Sequence, residues 1–209
     1  VTGGIEPEFF DILKANLGQQ SQKYYAKLNH VKDSLVARAA PAEALQMYQV
    51  ELHRIRKSLE SGHFHVASRK AGEVKNRYRS RHAVAEAVLL EIRALFGLGE
   101  YRSTLARLDQ LPQSPDYAEA KVFYTVQSWH ALGRAEEVRS WAQRFDFAAA
   151  SSRNRNFLLW IAMENLLKLG ETDSIVRLAT LSHQDSPYML NIMHVLARSF
   201  VAKGDNTPA

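Results

Sequence analysis

Five glycines that recur at nearly constant spacing constrain the fold of this chain more than any other feature of its sequence. They are Gly62, Gly99, Gly133, Gly170 and Gly204, and they are separated by 37, 34, 37 and 34 residues. Each glycine ends a run in which apolar residues recur every three or four positions, a spacing typical of amphipathic helices and not of strands. A period near 34 residues with two helices per unit predicts an array of stacked helical hairpins.

The stretch from Glu91 to Leu111 displays one such unit. Gly99-Glu100-Tyr101 is predicted to form the tight turn between its two helices. The apolar positions on the two sides of the turn are Ile92, Leu95, Phe96, Leu105, Leu108 and Leu111. Their spacing places them on one face of each helix, so the two helices are expected to pack against each other.

The repeat pattern divides the chain into two regions. The repeat domain is predicted to cover residues 41–209, beginning at Pro41, because proline is tolerated at the first position of a helix. Residues 1–40 lack the glycine-centred signature and are predicted to be an N-terminal helical cap or linker. The sequence stops where the second helix of a fifth unit is expected, which indicates either a lost end cap or a fragment of a longer protein.

Composition narrows the possible classes of protein. The chain has 209 residues, of which 46% are hydrophobic and 23% charged, as in ordinary globular proteins. It contains no cysteine, which excludes disulfides, thiolate metal sites and cysteine nucleophiles. No apolar run is long enough for a membrane span, and the N-terminus lacks the pattern of a signal peptide. We therefore expect a cytoplasmic protein, with a periplasmic location left open. The net charge of +5 permits an acidic partner.

The glycine-centred units resemble tetratricopeptide (TPR) repeats in divergent form. Gly99-Glu100-Tyr101 matches the turn of that motif, and Gly62-His63-Phe64 followed by Ala67 matches the turn and the small residue that comes after it. The turns at Gly133 and Gly170, followed by Val138 and Ile175, match more loosely. The chain departs from the motif at its eighth position, usually glycine or alanine, which holds Ile55, Ile92, Val126, Met163 and Ala197. The resemblance implies an all-α, right-handed superhelix of four full hairpins and part of a fifth.

The resemblance also implies a concave surface lined by the first helices, where members of the family bind a segment of a partner. Two positions of each first helix are expected to face it. The position ten residues before each glycine holds Leu52, Leu89, Phe123, Trp160 and His194. The position six residues before each glycine holds Arg56, Arg93, Gln127, Glu164 and Arg198. We expect Phe123 and Trp160 to be the apolar anchors of this groove. Arg56 and Arg93, in successive units, are expected to bind carboxylates.

Two qualifications belong to this interpretation. Phe123 and Trp160 lie at helical spacing, and an equally good reading places them in the core between repeats. Chaperone-binding members of the family use lysine and asparagine on successive first helices to bind an acidic C-terminal tail. This chain has Leu52, Arg56, Leu89 and Arg93 at the matching positions, so binding of such a tail is not expected.

A basic stretch from Arg69 to Arg81 supports a different hypothesis. Its cations are Arg69, Lys70, Lys75, Arg77, Arg79 and Arg81. They face one acid within the stretch, Glu73, and Tyr78 lies among them. Such a patch could contact phosphates, and the tyrosine could stack on a base. A solvated helix face is the more favoured reading, because arginine at every second position scatters around a helix.

No motif in the sequence indicates catalysis, a cofactor or a metal. His63 and His65 flank Phe64, but side chains two positions apart diverge on a helix, and no third ligand is near in sequence. Gly97-Leu98-Gly99 is a lone GxG motif that is expected to end a helix and form a turn.

These observations predict a non-catalytic adaptor, scaffold or regulatory module that binds another protein or a peptide segment. In its overall organisation the chain also resembles repeat modules of bacterial regulators and of secretion or pilus assembly proteins. The alternatives are a nucleic-acid-associated regulator, which we consider less favoured, and a self-assembly or spacer domain that could form a homodimer.

Overall fold

The computed structural model describes residues 41–78 and 80–204. The predicted N-terminal cap or linker and Arg79 lie outside the described residues, as does the segment after Gly204. The chain divides into two compact units, and the boundary between them falls inside the first described helix, between His53 and Arg54. Of the first unit, only residues 41–53 are described.

All regular structure in the described residues is α-helical, which confirms the predicted all-α class. The first helices of the hairpins are α1 (Pro41–Glu60), α3 (Arg81–Gly97), α5 (Pro115–Ala131), α7 (Ser152–Lys168) and α9 (Met189–Lys203). The second helices are α2 (Phe64–Arg77), α4 (Tyr101–Leu108), α6 (Ala135–Ala142) and α8 (Thr172–Ala179). Long first helices therefore alternate with second helices that, after α2, span only two turns.

The five glycines of the sequence pattern all adopt the left-handed backbone conformation, with φ between 71° and 81°. At Gly99 the following amide, that of Glu100, donates to the Leu95 carbonyl at 2.9 Å, which satisfies an end carbonyl of α3. The Tyr101 amide then donates to the Gly99 carbonyl at 2.9 Å, so that Glu100 forms an inverse γ-turn that opens α4. The same pair of hydrogen bonds recurs at Gly62, Gly133 and Gly170. One turn geometry thus joins both helices of four successive hairpins.

Equivalent positions of the hairpins are buried alike. The residue seven positions before each of the first four glycines has no exposed surface; these residues are Ile55, Ile92, Val126 and Met163. The fourth residue of each second helix is equally buried, and these residues are Ala67, Thr104, Val138 and Ile175. At the position seven residues before the glycine, where the TPR motif prefers glycine or alanine, these hairpins therefore hold larger side chains.

The unit from Arg54 onward is built from contacts between near neighbours in the chain. Consecutive helices from α2 to α9 pack on one another, and the first helices α3, α5, α7 and α9 also pack each on the next. Gly97 belongs to this packing, since a Cβ there would come within 2.6 Å of the Phe64 ring. Its role is therefore close contact between α2 and α3, while the turn itself depends on Gly99.

The last described helix, α9, exposes an apolar stripe. Leu190, Met193 and Val201 are 81%, 50% and 68% exposed, and Ala197 lies between them on the same face. Ala197 is exposed, whereas its counterparts seven residues before the other glycines are fully buried. The physical reason is that, within the described residues, no second helix follows α9 to cover this face.

The turn geometry predicts opposite effects for two glycine-to-alanine substitutions. Gly99→Ala should destabilise the protein by about 1–2 kcal/mol, because a Cβ is disfavoured in the left-handed conformation. Gly72→Ala should stabilise it by about 0.5–1 kcal/mol, because Gly72 is helical and a Cβ there meets nothing within 4 Å. Urea unfolding of both variants measures the difference. Equal changes in the two variants would contradict the assigned role of Gly99.

Candidate functional site

The residues expected ten positions before each glycine have different surroundings. Leu52 has no exposed surface and is a core residue, so its expected place in a groove is wrong. Leu89 is half-buried and packs against the core of α3 and α4. Phe123 and Trp160 are half-buried, and His194 is exposed. Of these five positions, the third and fourth, Phe123 and Trp160, are therefore the two that hold a partly buried phenylalanine or tryptophan ring.

Three of the positions six residues before a turn glycine hold arginine, and these three arginines also differ in their surroundings. Arg56 donates to the Glu86 carboxylate at 3.0 Å, and this acid comes from the next first helix, α3. Arg198 contacts both carboxylate oxygens of Glu164, at 3.1 and 3.3 Å. Two of the three arginines therefore already have an acid within the chain.

Arg93 is exposed and has no carboxylate partner among the described residues. Its guanidinium lies close enough to the Tyr124 hydroxyl for its positive charge to act on the pKa of that group. Burial raises the pKa of Tyr124, and the positive charge of Arg93 only partly opposes this. The tyrosine therefore stays neutral at physiological pH.

A cavity of about 830 Å³ brings Arg93 and Phe123 together. We call it the aromatic groove and define it by Arg93, Phe123, Tyr124, Phe157 and Tyr188. The remaining lining residues are Glu119, Ala120, Ser151, Asn154, His183, Asp185, Ser186 and Pro187. The lining therefore combines four aromatic rings with polar side chains, and we call these polar side chains the rim.

The rings of the aromatic groove contact one another in series. The Phe123 ring centroid lies 5.3 Å from those of both Tyr124 and Phe157. Phe157 lies 5.0 Å from Tyr188. Trp160 does not line the cavity; it stacks on Tyr188 at 6.1 Å and meets the edge of Phe157 at 5.8 Å. Trp160 thus supports the wall formed by the other two rings.

A buried asparagine positions the loop that completes the groove. Asn156 has no exposed surface, and its Nδ2 donates to the His183 carbonyl at 2.7 Å. The His183 amide donates in return to Asn156 Oδ1 at 2.8 Å. This two-bond clamp holds residues 182–188 on α7 and so fixes Tyr188 beside Phe157.

The acidic side of the rim is held by α7. Glu119 accepts hydrogen bonds from the Ser151 hydroxyl and from Asn154 Nδ2, the latter at 2.7 Å. Because Glu119 lies on α5, these bonds join successive first helices at the edge of the groove. The rim is therefore a fixed hydrogen-bonded surface.

Sequence reasoning missed Tyr124, Phe157 and Tyr188. A signal existed for Phe157, which lies one helical turn before Trp160, thirteen residues before Gly170. Tyr188 precedes α9 in a loop, where periodicity carries no information about its position.

His130 is the second group with a shifted pKa. Asn165 Nδ2 lies 2.8 Å from His130 Nδ1 and also donates to the Ile161 carbonyl at 2.7 Å, so Nδ1 acts as the acceptor of a neutral ring. Burial lowers the pKa of His130 and the nearby Lys168 lowers it further, while the charge of Glu164 opposes the shift. The folded state therefore favours the neutral imidazole.

This shift predicts how stability depends on pH. Because the folded-state pKa lies below the unfolded one, the unfolded chain binds more protons, and stability falls as the pH drops below about 6.5. His130→Gln should lose less stability between pH 7 and pH 5 than the wild type, whereas a control at the exposed His194, His194→Gln, should not. Unfolding midpoints measured across this range test the difference. Identical slopes for wild type and His130→Gln would contradict it.

The basic stretch is partly neutralised. Arg69 pairs with Glu73 at 2.5 Å, and Lys75 pairs with Glu91 at 3.3 Å. Glu91, which is mostly buried, also accepts from Arg107 at 3.0 Å. Glu91 on α3, outside the stretch, therefore adds a second acid to Glu73. This leaves less unpaired charge for a phosphate backbone.

In the part of the chain that the structure describes, no group of three or more histidine, aspartate or glutamate side chains is arranged to hold a metal ion. No helix within residues 41–78 or 80–204 is long and apolar enough to cross a membrane. No protein-family model, curated protein or solved structure matches the chain.

Proposed function

We propose that this chain is a non-catalytic protein–protein interaction module that binds a segment of a partner in the aromatic groove. We further propose that the hairpins from α1 to α9 form a right-handed, TPR-like superhelix. The repeated turn geometry and the successive contacts of α3, α5, α7 and α9 support this arrangement.

The observation that carries the proposal is a set of partly buried aromatic rings that line one cavity. Phe123, Tyr124, Phe157 and Tyr188 each leave part of their ring accessible, and each is held by at least one neighbouring ring. Aromatic side chains in preformed pockets are frequent hot spots of interfaces, because they offer large apolar area and lose little entropy on binding. Burying a further 100 Å² of such area contributes on the order of 2.5 kcal/mol.

The hydrogen bonds of the polar rim support the proposed binding. Glu119, Ser151 and Asn154 bond to one another and tie α5 to α7. The loop residue Tyr188 is held through the clamp between Asn156 and His183. These contacts hold the groove in shape before a partner arrives, which lowers the entropy cost of association.

Truncation of one ring tests the proposal. Phe123→Ala should weaken partner capture from cell lysate by about tenfold or more, equivalent to about 1.4 kcal/mol or more. Phe145→Ala is the matched control, since Phe145 is also half-buried but packs against Trp141 and Phe147, away from the groove. Quantitative mass spectrometry of the captured proteins measures the effect, and circular dichroism verifies folding. Equal capture by Phe123→Ala and Phe145→Ala would refute groove binding.

Self-association through α9 is a second candidate, favoured by the stripe of Leu190, Met193, Ala197 and Val201. The charges beside the stripe are balanced within the chain, since Arg198 pairs with Glu164 and Lys203 with Asp173. A second copy could therefore approach without strong like-charge repulsion.

Sedimentation equilibrium tests this second candidate. Leu190→Ser combined with Val201→Ser should abolish any increase of mass with concentration, while folding is retained because both side chains are largely exposed. A wild-type chain that stays monomeric at high micromolar concentration would eliminate self-association.

A further inference from the structure

We propose that the aromatic groove selects a partner segment in which an aspartate or glutamate side chain, bound by Arg93, neighbours a large apolar side chain seated on the aromatic rings. The inference rests on the proposed function and specifies the ligand of that site.

A comparison of equivalent arginines leads to this inference. Arg56 and Arg93 both lie six residues before a turn glycine, on successive first helices. Arg56 pairs at 3.0 Å with Glu86, which lies thirteen residues before the next turn glycine. The position equivalent to Glu86 one unit further along is Ala120. At the position where Glu86 supplies a carboxylate to Arg56, Arg93 therefore has the methyl group of Ala120.

Ala120 lies in the lining of the groove, as does Arg93 itself. The space that an acidic side chain fills beside Arg56 is thus part of an open cavity beside Arg93. Arg93 has no carboxylate partner in residues 41–78 and 80–204, and it is the only arginine or lysine among the described lining residues. The lining also carries the carboxylates of Glu119 and Asp185, but no ion pair joins either of them to Arg93, so the guanidinium is available to a carboxylate from outside.

The guanidinium of Arg93 is held at the edge of the rings. Tyr124 lies beside Arg93 on one side and contacts Phe123 ring to ring at 5.3 Å on the other. The cation and the apolar floor are therefore adjacent, and one short segment can reach both. A guanidinium fork binds one carboxylate through two parallel hydrogen bonds, which fits a single acidic side chain. Capture of a chain terminus generally relies on a nest of several donors, and one arginine does not supply it.

A displayed peptide library provides the probe. Random twelve-residue peptides fused to a phage coat protein carry no free C-terminal carboxylate, so any acid that is selected is a side chain. Peptides selected on the intact chain are then synthesised with an amidated C-terminus, and fluorescence anisotropy measures their affinities. We expect an acidic residue close to an aromatic or large aliphatic one among peptides whose binding requires Phe123.

Two variants remove the free cation in different ways. Arg93→Gln removes the positive charge of the side chain. Ala120→Glu places a carboxylate beside Arg93, in the same way that Glu86 lies beside Arg56. Both variants should bind the acidic peptides with an affinity at least tenfold lower than that of the wild type. Two controls at exposed positions outside the groove, Arg102→Gln on α4 and Ala118→Glu on α5, should leave affinity within twofold.

The outcomes separate the two proposals. Peptides that require Phe123 but show no acidic preference, or bind Arg93→Gln and Ala120→Glu as well as wild type, would overturn this inference and leave the proposed function standing. A tenfold gain for free-acid over amidated peptides would assign Arg93 to a chain terminus and overturn it as well. If no selected peptide depends on Phe123, the proposed function fails and this inference fails with it.

Discussion

The repeated hydrogen-bonded turn at a left-handed glycine is the constraint on which the rest of the structure depends. In each such turn one residue separates the glycine from the second helix, so the second helix always begins two residues after the glycine. Because the four complete turns share one geometry, residues counted back from each glycine occupy equivalent places in successive hairpins. That is why seven residues before the glycine is always a fully buried position in these hairpins.

The aromatic groove follows from this register. The positions ten and thirteen residues before the glycines bring Phe123 of α5 beside Phe157 of α7, although 34 residues separate them in the chain. The same register explains the charges. Where an arginine of one helix meets an acid of the next, as Arg56 meets Glu86, the surface is neutral. Where the acid is replaced by Ala120, a cation remains beside the aromatic rings.

Much of the fold could be predicted from the sequence, because its determinants are local. Glycine spacing marked the turns, and three-to-four-residue periodicity marked the buried faces of the helices. The site was predicted only in part. Phe123 and Arg93 line one cavity, whereas Leu52 is buried and Arg198 is paired with Glu164. Such pairings join residues about 30 apart on neighbouring hairpins, and helical periodicity within one helix does not contain that information. Tyr188 was missed because its position depends on the tertiary contact between Asn156 and the His183 backbone.

Hydrogen–deuterium exchange of the chain, with and without a partner segment that requires Phe123, tests the central claim most directly. The account predicts slower exchange on binding in residues 182–188 and in the groove-lining part of α5, with no change in the second helices α4 and α6. Protection confined to the basic stretch around Arg69 and Lys75, or to α9, would contradict it and locate the interaction elsewhere on the chain.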